Sequence, residues 1–302
     1  MSAPTLSRPS PSEPTSADLA STGEPIQDKS FRWLLFIALS IAIIVLGVLL
    51  VFLVTKGFPR LDSRLWQNMP SVRFPAKAGA QSAITGSIWV ILTTAVICLP
   101  IGIGAAIYLE EYARPDSKFY TVVEINIQNL AAVPSIVYGI LGLGIFVRAL
   151  ALGQSVIAAG LTLSLLVLPV VIISTREALR AVPQSIRAGS LALGATQWQT
   201  VSRQVLPAAI PGTATGAILS LSRAIGEAAP LIMMGAVTFI TFNPNSLSSA
   251  YTVMPIQIYN WTSQSREEFQ VLAAALCVLL LIVLLTMNAA AIFLRNRFQR
   301  SW

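Results

Sequence analysis

Five stretches of this chain carry no charged residue over a length that can cross a hydrocarbon core: Trp33 to Val54, Ile84 to Leu109, Ile125 to Val147, Ala149 to Thr175, and Val271 to Leu294. A bilayer core needs about 20 apolar helical residues. A sixth stretch, Thr213 to Ala236, is as apolar except for Arg223 and Glu227. In lipid, every backbone N–H and C=O must be paired inside the structure, and single runs of this length achieve that as helices. The expected fold class is therefore an all-α integral membrane protein with six transmembrane helices. Composition agrees. Hydrophobic residues make up 55% and charged residues 11%, against about 25% charged in soluble domains. Pro100, Pro134, Pro169 and Pro230 fall inside the runs, where neighbouring helices can re-satisfy the freed backbone groups. The small pair Gly212 and Gly216 suits close helix contact.

The segments between the runs set the organisation. Residues 1–32 form a Pro/Ser/Thr-rich tail, expected to be disordered and cytoplasmic because it cannot bury enough apolar surface to order itself. No short apolar core with a small-residue cleavage site follows it, so no signal peptide is expected. Residues 33–54 are the first transmembrane helix and 55–83 an extracytoplasmic loop. Residues 84–294 form the transmembrane core, with a long inner loop at 176–212, and 295–302 are a basic cytoplasmic C-terminus. Six crossings put both termini on one side. With the termini inside, the inner segments hold twelve Lys and Arg and the outer segments seven, which satisfies the positive-inside rule. The 55–83 loop opposes it with Lys56, Arg60, Arg64, Arg73 and Lys77. That loop reads either as a solvated surface or as an attractor of an anion or acidic partner.

The net charge of +7 is no nucleic-acid footprint, because the basic residues lie between apolar runs rather than in one polar domain. Histidine is absent, which removes the commonest metal ligand and proton shuttle. Cys98 and Cys277 sit inside apolar runs as buried thiols. No catalytic constellation and no metal set is visible.

The inner loop, from Arg176 to Gly212, is not a random linker. Ile186, Leu191, Leu193, Val201, Val205 and Leu206 recur near helical spacing, broken at Gly189 and Gly194. Two short amphipathic helices around a glycine turn satisfy this pattern. Such a loop either lies on the membrane surface or docks a cytoplasmic partner. Gly194-Ala195, followed at Leu206-Pro207 by a Leu-Pro pair, resembles the coupling loop of type I ABC import permeases. The loop departs from that pattern in two places. Ala188-Gly189-Ser190 stands where the family has Glu-Ala-Ala, and Gln204 stands where it has an apolar residue.

Further stretches carry the resemblance. Leu130-Ala131-Ala132-Val133-Pro134-Ser135-Ile136-Val137-Tyr138-Gly139 is similar to the third span of phosphate permeases. Ser222-Arg223-Ala224-Ile225-Gly226-Glu227-Ala228-Ala229-Pro230 resembles the fifth span of their A-type subunit. The end of the chain, from Tyr259-Asn260-Trp261-Thr262-Ser263 to Leu294-Arg295-Asn296-Arg297-Phe298, is similar to the same subunit. The resemblance covers about residues 81–302. It implies the type I ABC importer permease fold, a bacterial plasma (inner) membrane location, and the channel-forming role in phosphate import. It also implies the partners: a C-type phosphate permease subunit, two ATP-binding subunits and an extracytoplasmic phosphate-binding protein. Gly194 is expected at a tight turn too crowded for a side chain.

Arg223 and Glu227 are charges inside an apolar run. Ten residues into a span beginning at Thr213, Arg223 would lie ~15 Å deep, where a charge costs about 2.5–3.5 kcal/mol. Four residues apart, the two share one helical face. The pair is either a neutralised packing element or an anion site. A guanidinium fork can hold two phosphate oxygens, and Glu227 could accept a hydrogen bond from a protonated phosphate. The resemblance places the arginine on the anion path, with Glu227 second. Arg148, ending the third run, is expected to snorkel to the interface.

Import against the membrane potential needs an energy source. No phosphate-cradling loop precedes any of the four lysines, Lys29, Lys56, Lys77 or Lys118. The chain is therefore expected to bind no cofactor and to hydrolyse no ATP, the nucleotide being bound by a partner. The alternatives are a permease for another oxyanion, sulfate or molybdate, and a secondary anion carrier. The carrier would need paired halves, and no repeat is visible.

Overall fold

The computed structural model describes residues 26–236 and 239–298. Most of the expected tail and the last residues of the basic C-terminus, Arg300 included, lie outside them. The described residues are almost entirely helical, without strands; an isolated bridge joins Ser155 to Ala250. Among the described residues, five helices are long and apolar enough to cross a membrane, and a bent pair makes a sixth crossing if counted as one span.

The chain divides into two compact units at Phe52–Leu53. The first holds most of α1 (Ile26–Gly57), whose side chains from Phe31 to Phe52 are largely apolar and exposed. A helix apolar on every face is suited to lipid rather than to water. Residues 26–32, expected to belong to the disordered tail, begin this helix.

Early in the second unit, the segment after α1 bears a short helix, α2 (Ser63–Gln67). Its excess of basic residues is partly explained by hydrogen bonding. The Arg60 guanidinium donates to the carbonyls of Pro75, Ala76 and Ala78 at 3.1, 3.3 and 2.9 Å, folding the segment onto itself. Arg64 reaches Asp62 at 3.8 Å.

The core is built from α3 (Gln81–Ile107), α6 (Val156–Arg180), α9 (Leu206–Gly226) and α12 (Glu267–Phe298), with α11 (Met254–Thr262) buried against α3 and α12. Small residues let them approach. Gly212 and Gly216 of α9 face Ala178 and Ser174 of α6, as the spacing suggested. Pro100 and Pro169 remain inside continuous helices. α3 runs on through a wider turn at Tyr108–Tyr112, longer than the run that ends at Leu109.

Three of the expected spans differ. The run from Ile125 to Val147 is two helices, α4 (Lys118–Ala132) and α5 (Ser135–Gly142, continued by a wide turn to Ala149), bent by 101°. Proline disfavours helical backbone in the residue before it; Val133 takes ψ 131° and the helix stops. The Tyr138 hydroxyl donates to Leu130 O at 2.8 Å across the break. The next span starts at Val156, not Ala149, because Ala151 and Gly153 take positive φ in an intervening turn.

The fifth span begins earlier and ends earlier than expected. α9 starts at Leu206 and stops at Gly226, so 213–236 is not one helix. Glu227 is extended, and a one-turn helix, α10 (Ala229–Met233), follows. α10 packs on α5 where a Cβ on Gly139 would lie 2.6 Å from Pro230.

Candidate functional site

Arg223 lies in the last turn of α9, and Glu227 is the residue that ends the helix. The depth argument based on a span starting at Thr213 therefore does not apply. Neighbours give the level instead. Ala224 and Ile225 line a narrow crevice with Val90 of α3 and Leu163 of α6. Val90 is ~14 Å along α3 from Gln81, and Leu163 ~10 Å along α6 from Val156, at 1.5 Å per residue. The charged turn thus lies level with the middle stretches of α3 and α6 rather than with their ends.

Arg223 Nε lies 3.7 Å from a Glu227 carboxylate oxygen, with the arginine side chain 61% exposed and the glutamate 20%. A charge-assisted hydrogen bond is about 2.7–2.9 Å long. The carboxylate therefore attracts the guanidinium without filling its fork. Leu219, Arg223 and Gly226 share the exposed face of α9. A cation in a last turn also offsets the helix C-terminal carbonyls, worth about 0.3–1 kcal/mol. A lysine would serve that purpose as well as an arginine. Arg148 lies exposed in the wide turn that ends at Ala149.

The loop expected over 176–212 runs from Ala181 to Val205, since Arg176–Arg180 belong to α6 and Leu206–Gly212 to α9. It carries two short helices, α7 (Gln184–Ala192) and α8 (Gln197–Thr200), on either side of Gly194. Gly194 has φ +84°. Its N–H reaches Leu191 O at 3.0 Å, and the N–H of Ala195 reaches Ser190 O at 3.2 Å. That pair of bonds is the Schellman ending of a helix, which requires a left-handed residue at the glycine position. No atom lies within 4 Å of where a Gly194 Cβ would sit, so conformation rather than crowding excludes other residues.

α8 begins with a reciprocal cap. Gln199 N donates to the Thr196 hydroxyl at 3.3 Å, and Thr196 N donates to the Gln199 side chain at 2.9 Å. The Ser190 and Thr200 hydroxyls join the two arms at 2.9 Å. Pro207, just after Leu206, occupies the first turn of α9, where its missing N–H costs nothing. The apolar residues of the loop divide by face. Ile186, Val205 and Leu206 pack with Leu179 and Val182 under the loop. Leu193 and Trp198 point outward, 91% and 67% exposed.

An ionic cluster that the sequence reading missed anchors this loop. Buried Arg176 bridges Glu110 and Glu124 at 3.3 Å each and donates to the Tyr120 hydroxyl at 2.6 Å. Arg180 meets Glu110 at 2.9 Å, and Arg187 meets Glu111 at 2.7 Å. The signal was present as paired acids ending one apolar run, an acid beginning the next, and arginines heading the loop. Among the described residues, no group of His, Cys, Asp and Glu could hold a metal ion.

Residues 98–297 match the family described as the binding-protein-dependent transport system inner membrane component. The chain is 32% identical over 263 residues to the probable ABC transporter permease protein YqgI of Bacillus subtilis, covering 83% of this chain and 88% of that one. It is 34% identical over 276 residues to the phosphate transport system permease protein PstA of Mycobacterium leprae, covering 87% of each. Its fold resembles a chain of a bacterial alginate ABC transporter, crystallised with an alginate-bound periplasmic protein. The TM-score is 0.60 at 16% identity, over 91% of this chain and 98% of that one.

Proposed function

Because this chain belongs to the family of binding-protein-dependent transport system inner membrane components, we propose that it is the A-type channel-forming subunit of an ATP-driven phosphate importer. In this reading it pairs with a C-type permease subunit, and both termini are cytoplasmic. The Gly194 loop docks two ATPase subunits, which bind and hydrolyse the ATP. A phosphate-binding protein delivers the anion from outside. The chain itself performs no chemistry on its substrate.

The observation that carries the substrate assignment is Arg223. Its guanidinium is held near a carboxylate at 3.7 Å but is not saturated by it, and it is exposed on one face of α9. Phosphate at neutral pH carries one to two negative charges and presents several oxygens to a planar fork. Glu227 steers the guanidinium and can accept a hydrogen bond from a protonated phosphate. A fully deprotonated oxyanion lacks that donor and leaves the acceptors facing each other, which is heavily penalised.

Phosphate uptake by the reconstituted complex, with sulfate as competitor, tests this reading. Arg223→Gln should greatly reduce uptake in an assembled complex. Arg223→Lys, which keeps the charge at the helix end but loses the fork, should restore it only partly. A purely structural pair predicts otherwise, because Glu227→Gln would then relieve the defect of Arg223→Gln. Full transport by that double variant, or by Arg223→Lys, overturns the anion site.

A further inference from the structure

We propose that Glu111 is the positioning residue that makes α3 follow the docking loop; the proposal rests on the importer reading. The loop is covalently joined to α6 and α9. Its attachment to α3 is made by non-covalent contacts, and both arms of the loop meet there on one residue.

The Glu111 carboxylate accepts from Arg187 Nη2 at 2.7 Å and from Nε at 3.2 and 3.3 Å. The pair is nearly buried, with side chains 12% and 8% exposed. Arg187 lies on α7 and also donates to the carbonyls of Val182 and Leu179, from Nη1 at 2.7 Å and from Nη2 at 2.9 Å. All three of its nitrogens are thus engaged, which fixes the guanidinium in direction. The second arm reaches the same residue by another route, because the Gln197 side-chain amide, on α8, donates to the Glu111 backbone carbonyl.

Glu111 sits in the wide turn that ends α3. Its neighbour Glu110 faces α6 instead, through Arg176 and Arg180. The two adjacent acids therefore divide the work: Glu110 ties α3 to the helix before the loop, and Glu111 ties α3 to the loop itself. α3 then extends without interruption to the level of Val90, which shares a crevice with Ala224, beside Arg223. An acid comes from α3 and meets a base on the loop. A loop displaced by its ATPase partner would thus draw on α3 as well as on its two covalent neighbours.

The test compares Glu111→Gln, Glu111→Asp and Gln197→Leu in the complete reconstituted complex, scoring phosphate moved per ATP hydrolysed. The expected result is a fall in that ratio of about fivefold or more for Glu111→Gln, in the range of ordinary coupling between sites. ATPase subunits should remain bound, and Glu111→Asp should recover most of the ratio. An unchanged ratio in the assembled Glu111→Gln complex overturns the proposal. So does a fall of uptake and hydrolysis in equal proportion, which marks mere loss of folded protein. If Glu111→Gln does not assemble, Gln197→Leu decides, because that side chain is exposed; an unchanged ratio there is equally fatal.

An unmodified complex that hydrolyses ATP but moves no phosphate overturns the substrate reading alone. The junction is then judged from the distance between nitroxides at Leu193→Cys and Ile101→Cys, with Cys98 and Cys277 replaced by serine. A narrow distribution unchanged by ATP, broadened in Glu111→Gln, supports it. Equal distributions in both proteins refute it.

Discussion

Replacing Gly194 should weaken ATPase docking through backbone conformation alone. The residue has φ +84° and no atom within 4 Å of a would-be Cβ, so contact terms within the chain drop out. An L-residue in left-handed backbone costs roughly 1–2 kcal/mol. That shifts the balance between the docking turn and its alternatives by a factor of about 5–30. Asparagine visits this region far more readily than most residues, and β-branched residues hardly at all. ATPase affinity should therefore fall in the order Gly, Asn, Ala, Val. Gly194→Ala should lose no more than about 30-fold, because only the free-energy cost of forming the turn changes. The assay is the dissociation constant of the ATPase subunits for the membrane subunits in nanodiscs, measured for all four residues. Equal affinity for Val and Gly would refute the conformational argument. A loss for Asn as large as for Val would also refute it, and would point to direct contact between the ATPase and this position.

Three further outcomes are expected. Gly139→Ala places a Cβ 2.6 Å from the Pro230 backbone, an overpacking that should cost about 1–3 kcal/mol. Thermal unfolding of the detergent-solubilised protein checks it, with Gly144→Ala, which meets nothing within 4 Å, as the neutral control. Arg176→Met removes the shared cation between Glu110 and Glu124. Breaking a buried ion pair on one side costs roughly 3–5 kcal/mol, so a marked loss of purified folded protein is expected, read by size-exclusion chromatography. With the termini inside, a cysteine at Val72 should react with an impermeant thiol reagent in intact cells and one at Leu193 should not; the opposite pattern would invert the orientation.

The lengths of apolar sequence were a sound guide to the fold because hydrocarbon thickness imposes them directly. Helix ends were less legible. Pro100, Pro134 and Pro169 look alike in the sequence, yet only Pro134 breaks its helix, because packing against neighbours decides which proline is absorbed. Gly226, with Pro230 shortly after it, is an ordinary helix-end signal, but Gly212 and Gly216 stay inside the same helix, so the end of α9 could not be told from its interior. The Arg223–Glu227 association was readable from the rarity of charge in such a run, although its geometry was not. Glu227 lies past the helix, and the contact is long. Glu110, Glu111 and Glu124 stand visibly at the ends of apolar runs, but nothing in the sequence ties them to particular arginines. Their meaning appears only when folding brings three arginines to them.

The break at Val133–Pro134 restricts how the chain can sit in lipid. A helix that stops leaves four carbonyls without helical partners, and the helix after it begins with four N–H groups in the same state. The Tyr138 hydroxyl and the N–H groups of Val133 and Val137 meet some of these needs. Leu130, Ala131, Ala132, Ile136 and Val137 nonetheless remain exposed. Open backbone of this kind is not tolerated against lipid; it must be covered by protein or face water. The segment is therefore excluded from the lipid-facing surface and lies against protein or water. One proline thus limits which face of the molecule can be turned toward hydrocarbon.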